Sequence, residues 1–252
     1  MKEIIAILCI FTIVGLGVGA FFISQSIIKT NTLPTTLAKE GVKPLEIILD
    51  DCNFKYADEC TPTTDNGTLE NQFTLEIGQI LQTQSNPNIQ SYTETIPGTN
   101  SPLPVANIIA NVSYNSRINY RTILTMLDLR EPSFFNSSQV TPIQAVSREE
   151  QTFHAQLTGM TTELNQLYNT EFADHSTEIV AHGKTYKYAP EINTSSRALY
   201  AYFALHTSSI IEFERMSGIN TGIGVKSFPK LWQTLFREDP VSSSPYHLPF
   251  QH

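Results

Sequence analysis

The sequence predicts an α+β protein: an N-terminal transmembrane helix, then one mixed domain in which two long amphipathic helices flank a β-hairpin. Three observations predict it. Residues Ile4 to Ile23 hold no charge over twenty positions, about the length a helix needs to cross the hydrocarbon core. Two later segments, around Phe153–Leu167 and Leu199–Phe213, repeat apolar residues at steps of three and four, the spacing of one helix face. Between them TEIVAHGKTYKY alternates on both sides of His182-Gly183, as a hairpin does.

The apolar run lies within residues 1–28, read as a membrane anchor or a signal sequence. It is longer than the core of most signal peptides, which favours an anchor. Val18-Gly19-Ala20 nevertheless satisfies the small-residue rule for cleavage before Phe21, leaving a secreted form as the alternative. Gly15 and Gly19 form a GxxxG pair, a weak signal for close approach of two helices in lipid. On this reading lipid is one partner, through the N-terminal helix. Lysines 29, 39 and 43 beyond the run favour a cytoplasmic body by charge count. Composition and cysteines oppose that count and favour an extracytoplasmic, periplasmic body.

That composition is polar without being charged. Ser and Thr make up 49 residues, whereas only 16% of the chain is charged. The deficit belongs to the body, because residues 1–28 remove only Lys2 and Glu3. The balance of 24 acids to 16 bases excludes nucleic acid as a partner, since that needs a basic face. Cys52 and Cys60 bracket CNFKYADEC, a spacing that closes a short disulfide loop in an oxidising compartment. Cys9 sits in the apolar run as a small hydrophobe.

Further elements follow in chain order. Residues 29–44 read as a polar linker, 45–237 as the domain and 238–252 as an irregular tail. Leu45 to Asp51 reads as a strand. Leu69, Phe73, Ile77, Ile80 and Leu81 fit a helix, although Phe73-Leu75-Ile77 also alternates like a strand. Ser85 to Pro104 is broken by four prolines and reads as a long loop, and the second half of Val105–Arg130 as a helix. Ser147 to Glu150 forms a capping box ahead of the Phe153 helix. Ser195 or Ser196 caps the next, which Gly218 stops. Phe228 to Phe236 is a short last helix with Ser227 as cap and Pro229 in its first turn.

No arrangement of residues declares a chemistry. HExxH and GxSxG are both missing, and GINTGIGVKS breaks the Gly-Lys-Ser order of a phosphate loop. Ser227-Phe-Pro-Lys230 matches SxxK only formally, without its companion motifs. Asp50, Asp51, Asp58 and Glu59 would converge around a bridged cysteine loop but read better as a solvated acidic loop than as a calcium site. No metal or cofactor is therefore expected. His175, His182 and His206 are the weak pocket candidates.

The sequence favours a single-span, anchored interaction or structural protein of the bacterial envelope, such as a subunit of a secretion, conjugation or pilus-type assembly. Protein partners or self-association are expected of it. The first alternative is a periplasmic or secreted hydrolase with scattered residues, in which one of those histidines faces a carboxylate in a cleft. The second is a viral or eukaryotic type II membrane glycoprotein. Its sequons at Asn66, Asn111, Asn136 and Asn193 are no more numerous than composition provides.

Overall fold

The computed structural model describes residues 43–55, 66–84, 86–131, 134–136, 142, 152–174, 176–219 and 226–242. The chain divides into two units, Met1–Val42 and Lys43–His252, and the description below concerns the second. Its helices are α1 (Asp51–Phe54), α2 (Asn66–Gln82), α3 (Pro87–Ser91), α4 (Val105–Ser116), α5 (Tyr120–Arg130), α6 (Phe153–Ala173), α7 (Thr194–His206), α8 (Ile210–Ser217) and α9 (Phe228–Phe236). Two antiparallel hairpins complete it: β1 (Thr93–Glu94) with β2 (Leu103–Pro104), and β3 (Glu178–Ala181) with β4 (Lys184–Lys187).

The expected fold class needs correction. The described residues form a predominantly helical α+β domain with two small hairpin sheets, and no helix among them is long and apolar enough to cross a membrane. Anchoring in lipid through an N-terminal helix is thus unsupported. The run Ile4–Ile23, with Gly15 and Gly19, lies outside the described residues.

The second long helix also divides in two. Apolar spacing carries Leu199, Phe203, Ile210 and Phe213 along one seam, but the helix ends at His206 and restarts at Ile210. Thr207 turns its hydroxyl back onto the Phe203 carbonyl (2.7 Å), and Ser209 caps the new start through the Glu212 amide (3.3 Å). Hydroxyl side chains compete with the backbone for helical hydrogen bonds, so Thr-Ser-Ser breaks a helix that the apolar phase does not.

Helix α4 is the middle of the domain. It packs against α2 on one flank and α6 on another, and α6 in turn packs against α7. The facing side chains are the ones whose periodicity predicts burial: Phe73, Ile77 and Leu81 on α2, Ile108 and Val112 on α4, and Phe153, Leu157, Met160 and Leu164 on α6. Burying one such side chain stabilises by about 1.5–3 kcal/mol. Helix α5 is different, since every residue from Tyr120 to Leu129 is buried. Asn119 caps it through the Arg121 amide (2.9 Å), and it leans on α4 and α9.

The β3–β4 hairpin matches expectation, with Val180 opposite Thr185 and Ala181 opposite Lys184. Its turn places His182 at φ 49° and Gly183 at φ 78°, the left-handed pair of a tight two-residue connection. Leu45 to Asp51 is not the strand its sequence suggests. Leu45 alone bridges to Tyr188, while the Ile48 and Leu49 amides are taken by the Ser196 hydroxyl of α7 (2.9 and 3.2 Å). Residues 238–242 are tied to the body: the Pro240 carbonyl accepts from the Asp50 amide (2.9 Å), and Glu238 pairs with Arg121 (2.6 Å).

Candidate functional site

A groove of about 480 Å³ runs between α4 and α6. Each helix buries its apolar face, and the polar edges left over face each other across the groove. From α4 come Asn111, Asn115 and Ser116; from α6 come His154, Thr158, Thr162, Asn165, Gln166 and Asn169, with Val112 and Thr161 buried among them. No Asp, Glu, Lys or Arg lines it. The volume suits a small ligand or one stretch of a polymer.

Several of these side chains are held in place. Asn111 donates to the Glu70 carboxylate (3.2 Å), Asn115 donates to the Asn111 carbonyl oxygen (3.1 Å), and Asn165 donates to the Ser116 backbone carbonyl (2.8 Å). Thr158 and Thr161 donate their hydroxyls to carbonyls one turn earlier, of His154 (2.9 Å) and Leu157 (3.0 Å).

The start of α6, which carries His154, is fixed from far along the chain. Thr152 accepts from the Ala155 amide (3.3 Å), and the Glu94 carboxylate accepts from the Phe153 (2.9 Å) and His154 (3.3 Å) amides and from the Tyr92 hydroxyl (2.7 Å). Burial, reinforced by the neighbouring Glu94 charge, pushes the Tyr92 phenol well up, so it stays a donor. The predicted capping box at Ser147–Glu150 lies outside the described residues.

A second, smaller cavity of about 140 Å³ lies beside α2, α5 and α9. There Tyr120 donates to Glu76, Arg121 reaches both the Tyr120 oxygen (3.3 Å) and Glu238, and the Phe236 ring covers the guanidinium at 5.2 Å. Every charge has a partner, and the arrangement serves to hold residue 238 against α5.

Of the three sequence-predicted histidines, His182 and His206 are described, and neither lines the two cavities above. His175 lies outside the described residues. His182, in the hairpin turn, meets the Thr207 hydroxyl (2.8 Å). His206, at the end of α7, meets the Glu163 carboxylate (2.8 Å), and its ring lies 4.2 Å from that of Tyr202. The ring is about a third exposed and lines neither cavity. His154, which does line the groove, carries no sequence signal: it is a lone histidine one residue into a helix.

Of the four acidic residues near the cysteines, Asp50 and Asp51 have structural work, and Asp58 and Glu59 lie outside the described residues. Asp50 caps α1 through the Cys52 amide (2.9 Å), and Asp51 accepts from both the amide (3.1 Å) and hydroxyl of Ser195. The α7 cap is Asn193 rather than either serine, accepting from Ser196 (3.0 Å) and donating to the Leu49 carbonyl (2.8 Å). Both the Asn111 and Asn193 sequons thus spend their amides inside the protein. Among the described residues no cluster of three His, Cys, Asp or Glu could hold a metal ion. Cys52 is disulfide-bonded, which belongs to an oxidising compartment. Cys60 lies outside the described residues.

The fold and groove define a helical α+β domain that offers a neutral, hydrogen-bonding surface rather than a charged or apolar one. Residues 68–248 match the family described as LasA, N-terminal domain, and the chain belongs to that family. No curated protein and no solved structure matches it. The family match and the disulfide at Cys52 agree on a secreted or extracytoplasmic protein.

Proposed function

We propose that this domain is the substrate-engaging part of a secreted or periplasmic hydrolase, with the α4–α6 groove as the surface that takes the substrate. The observation that carries this reading is the groove itself: the larger of the two cavities described above is lined by hydroxyl and amide groups, several of them already fixed by bonds to the protein. Preorganised polar groups of this kind bind without the entropy cost of ordering them. The family match, to a domain named for its N-terminal position in a larger protein, supports a role beside catalysis.

The envelope-assembly reading has less support. It drew on an anchor, a modest ectodomain and two seam-bearing helices without a catalytic motif; no described helix can cross a membrane, and Phe153, Leu157, Met160, Leu164, Leu199, Phe203 and Phe213 pack inside the domain.

One observation favours a second reading, in which the chain hydrolyses substrate itself. His206 is oriented by the Glu163 carboxylate as a general base is, and Arg130 lies 6.0 Å from the ring centre of the adjoining Tyr202. Incubating the full chain with insoluble polysaccharide and polypeptide gels separates the two. Co-sedimentation without release of soluble fragments is the expected result. Fragment release abolished by His206→Ala establishes the second reading, and neither binding nor release overturns both.

A further inference from the structure

Resting on the reading just given, we propose that the α4–α6 groove takes a neutral polysaccharide, recognised through its hydroxyl groups. The chemistry of their partners dictates how the groove amides are oriented. Glu70 and the Ser116 carbonyl can only accept, so Asn111 and Asn165 must present their nitrogens to them. With Asn111 so fixed, its carbonyl oxygen receives the Asn115 nitrogen, and Asn115 is fixed in turn. The carbonyl oxygens of Asn115 and Asn165 are left as acceptors. The exposed Thr158 has likewise committed its proton to the His154 carbonyl, so its oxygen can only accept from a ligand. The preset part of the groove therefore asks for a ligand rich in donors.

Charge and size narrow the class. A cationic donor would be matched by acids, and the lining has none. Thr162, Gln166 and Asn169 stand along the α6 rim and supply donors as well as acceptors. A sugar hydroxyl both donates and accepts and uses both halves of this lining. Successive α6 groups three and four residues apart lie about 5–6 Å from one another, so acceptors recur along the groove as hydroxyls do along a glycan. A peptide would bring side chains that need apolar or charged subsites. Val112 is the one aliphatic residue lining the groove, and it is buried.

The test is calorimetric titration of the full chain with cellohexaose, and separately with a terminally blocked, uncharged hexapeptide of Ser, Asn and Gly. Thr162→Val/Gln166→Leu alters two exposed rim residues; Asn165→Leu alters a residue that also bonds Ser116, so each variant's Tm is recorded. Expected is cellohexaose binding that the rim double variant weakens at least tenfold with Tm unchanged, and no peptide binding. Peptide binding in place of cellohexaose overturns this inference and leaves the engagement reading intact. Binding that is indifferent to all three substitutions moves the saccharide elsewhere and overturns the inference. Binding of neither probe overturns both.

Discussion

Removing the Glu94 side chain should loosen the start of α6 and with it one end of the groove. The carboxylate accepts three hydrogen bonds, from the Tyr92 hydroxyl at 2.7 Å and from the Phe153 and His154 amides at 2.9 and 3.3 Å. Those amides belong to the first helical turn, where they have no partner within the helix. A negative charge there contributes about 0.3–1 kcal/mol through the helix dipole alone. A hydrogen bond to a charged group contributes about 1.5–3 kcal/mol when well made, and partial exposure at Glu94 reduces that. Glu94→Ala should therefore cost about 2–3 kcal/mol, and Glu94→Gln, which keeps one acceptor, about 1 kcal/mol. At about 2–4 °C per kcal/mol for a domain of this size, the alanine variant should melt about 4–12 °C lower. Calorimetry at pH 7 measures it directly. Thr152 caps the same turn, so Glu94→Ala/Thr152→Ala should not be additive. A Glu94→Ala Tm within about 1 °C of wild type would refute the view that this distant carboxylate holds α6.

Other outcomes follow from the same structure. Phe213→Ala, at a fully buried position between Tyr186 and Tyr200, should cost about 3–5 kcal/mol in urea unfolding, since a ring-sized cavity opens in the core. Hydrogen bonds from Lys184 and Tyr186 hold the Glu214 carboxyl below the usual range, and the Ser208 amide does the same for Glu212. A carboxyl with a lowered folded pKa contributes stability that is present above its unfolded value near 4.5 and lost as pH falls through the folded value. The Tm difference between wild type and Lys184→Met should thus shrink between pH 7 and pH 3. Burial raises Asp128 and Glu171, which act in the opposite sense and are untouched by that substitution. Gly218→Ala should cost about 1 kcal/mol, because the α8 cap sits at φ 79° and any side chain there is strained. Alkylation mass spectrometry with and without reductant should show one disulfide joining Cys52 to Cys60, and reduction should lower stability by about 2–3 kcal/mol.

What the sequence discloses here follows from how each element is built. The α6 seam and the β3–β4 hairpin are legible because each exposes one face, so periodicities of 3.6 and 2 survive in the residue order. Helix α5 is buried all round and has no such pattern to read. The break after His206 is invisible to periodicity because Leu199, Phe203, Ile210 and Phe213 keep phase across it. The Thr207-Ser208-Ser209 run was the available sign. Asn193, Thr194, Ser195 and Ser196 are all good caps in a row. Asp51 engages Ser195 and the Ile48–Leu49 backbone engages Ser196, which leaves Asn193 as the cap.

The groove was harder still to see. Its two walls are polar edges of helices some forty residues apart, and polarity alone does not say which edges meet. One trace exists: between His154 and Asn169 the polar residues of α6 include a single charge, Glu163, where a solvated helix face ordinarily carries several. The low charge of the body, which first argues for a compartment, is thereby also a property of the surface proposed to bind.

The most direct test of the central claim is an amide chemical-shift map of the ¹⁵N-labelled full chain titrated with cellohexaose. Saturable shifts are expected at Asn111–Ser116 of α4 and along the groove-lining residues of α6 from His154 to Asn169, with the Asn115 and Asn165 side-chain amides among them. Shifts centred on His206 and Tyr202 of α7, or none at all with the chain folded, would contradict the proposal.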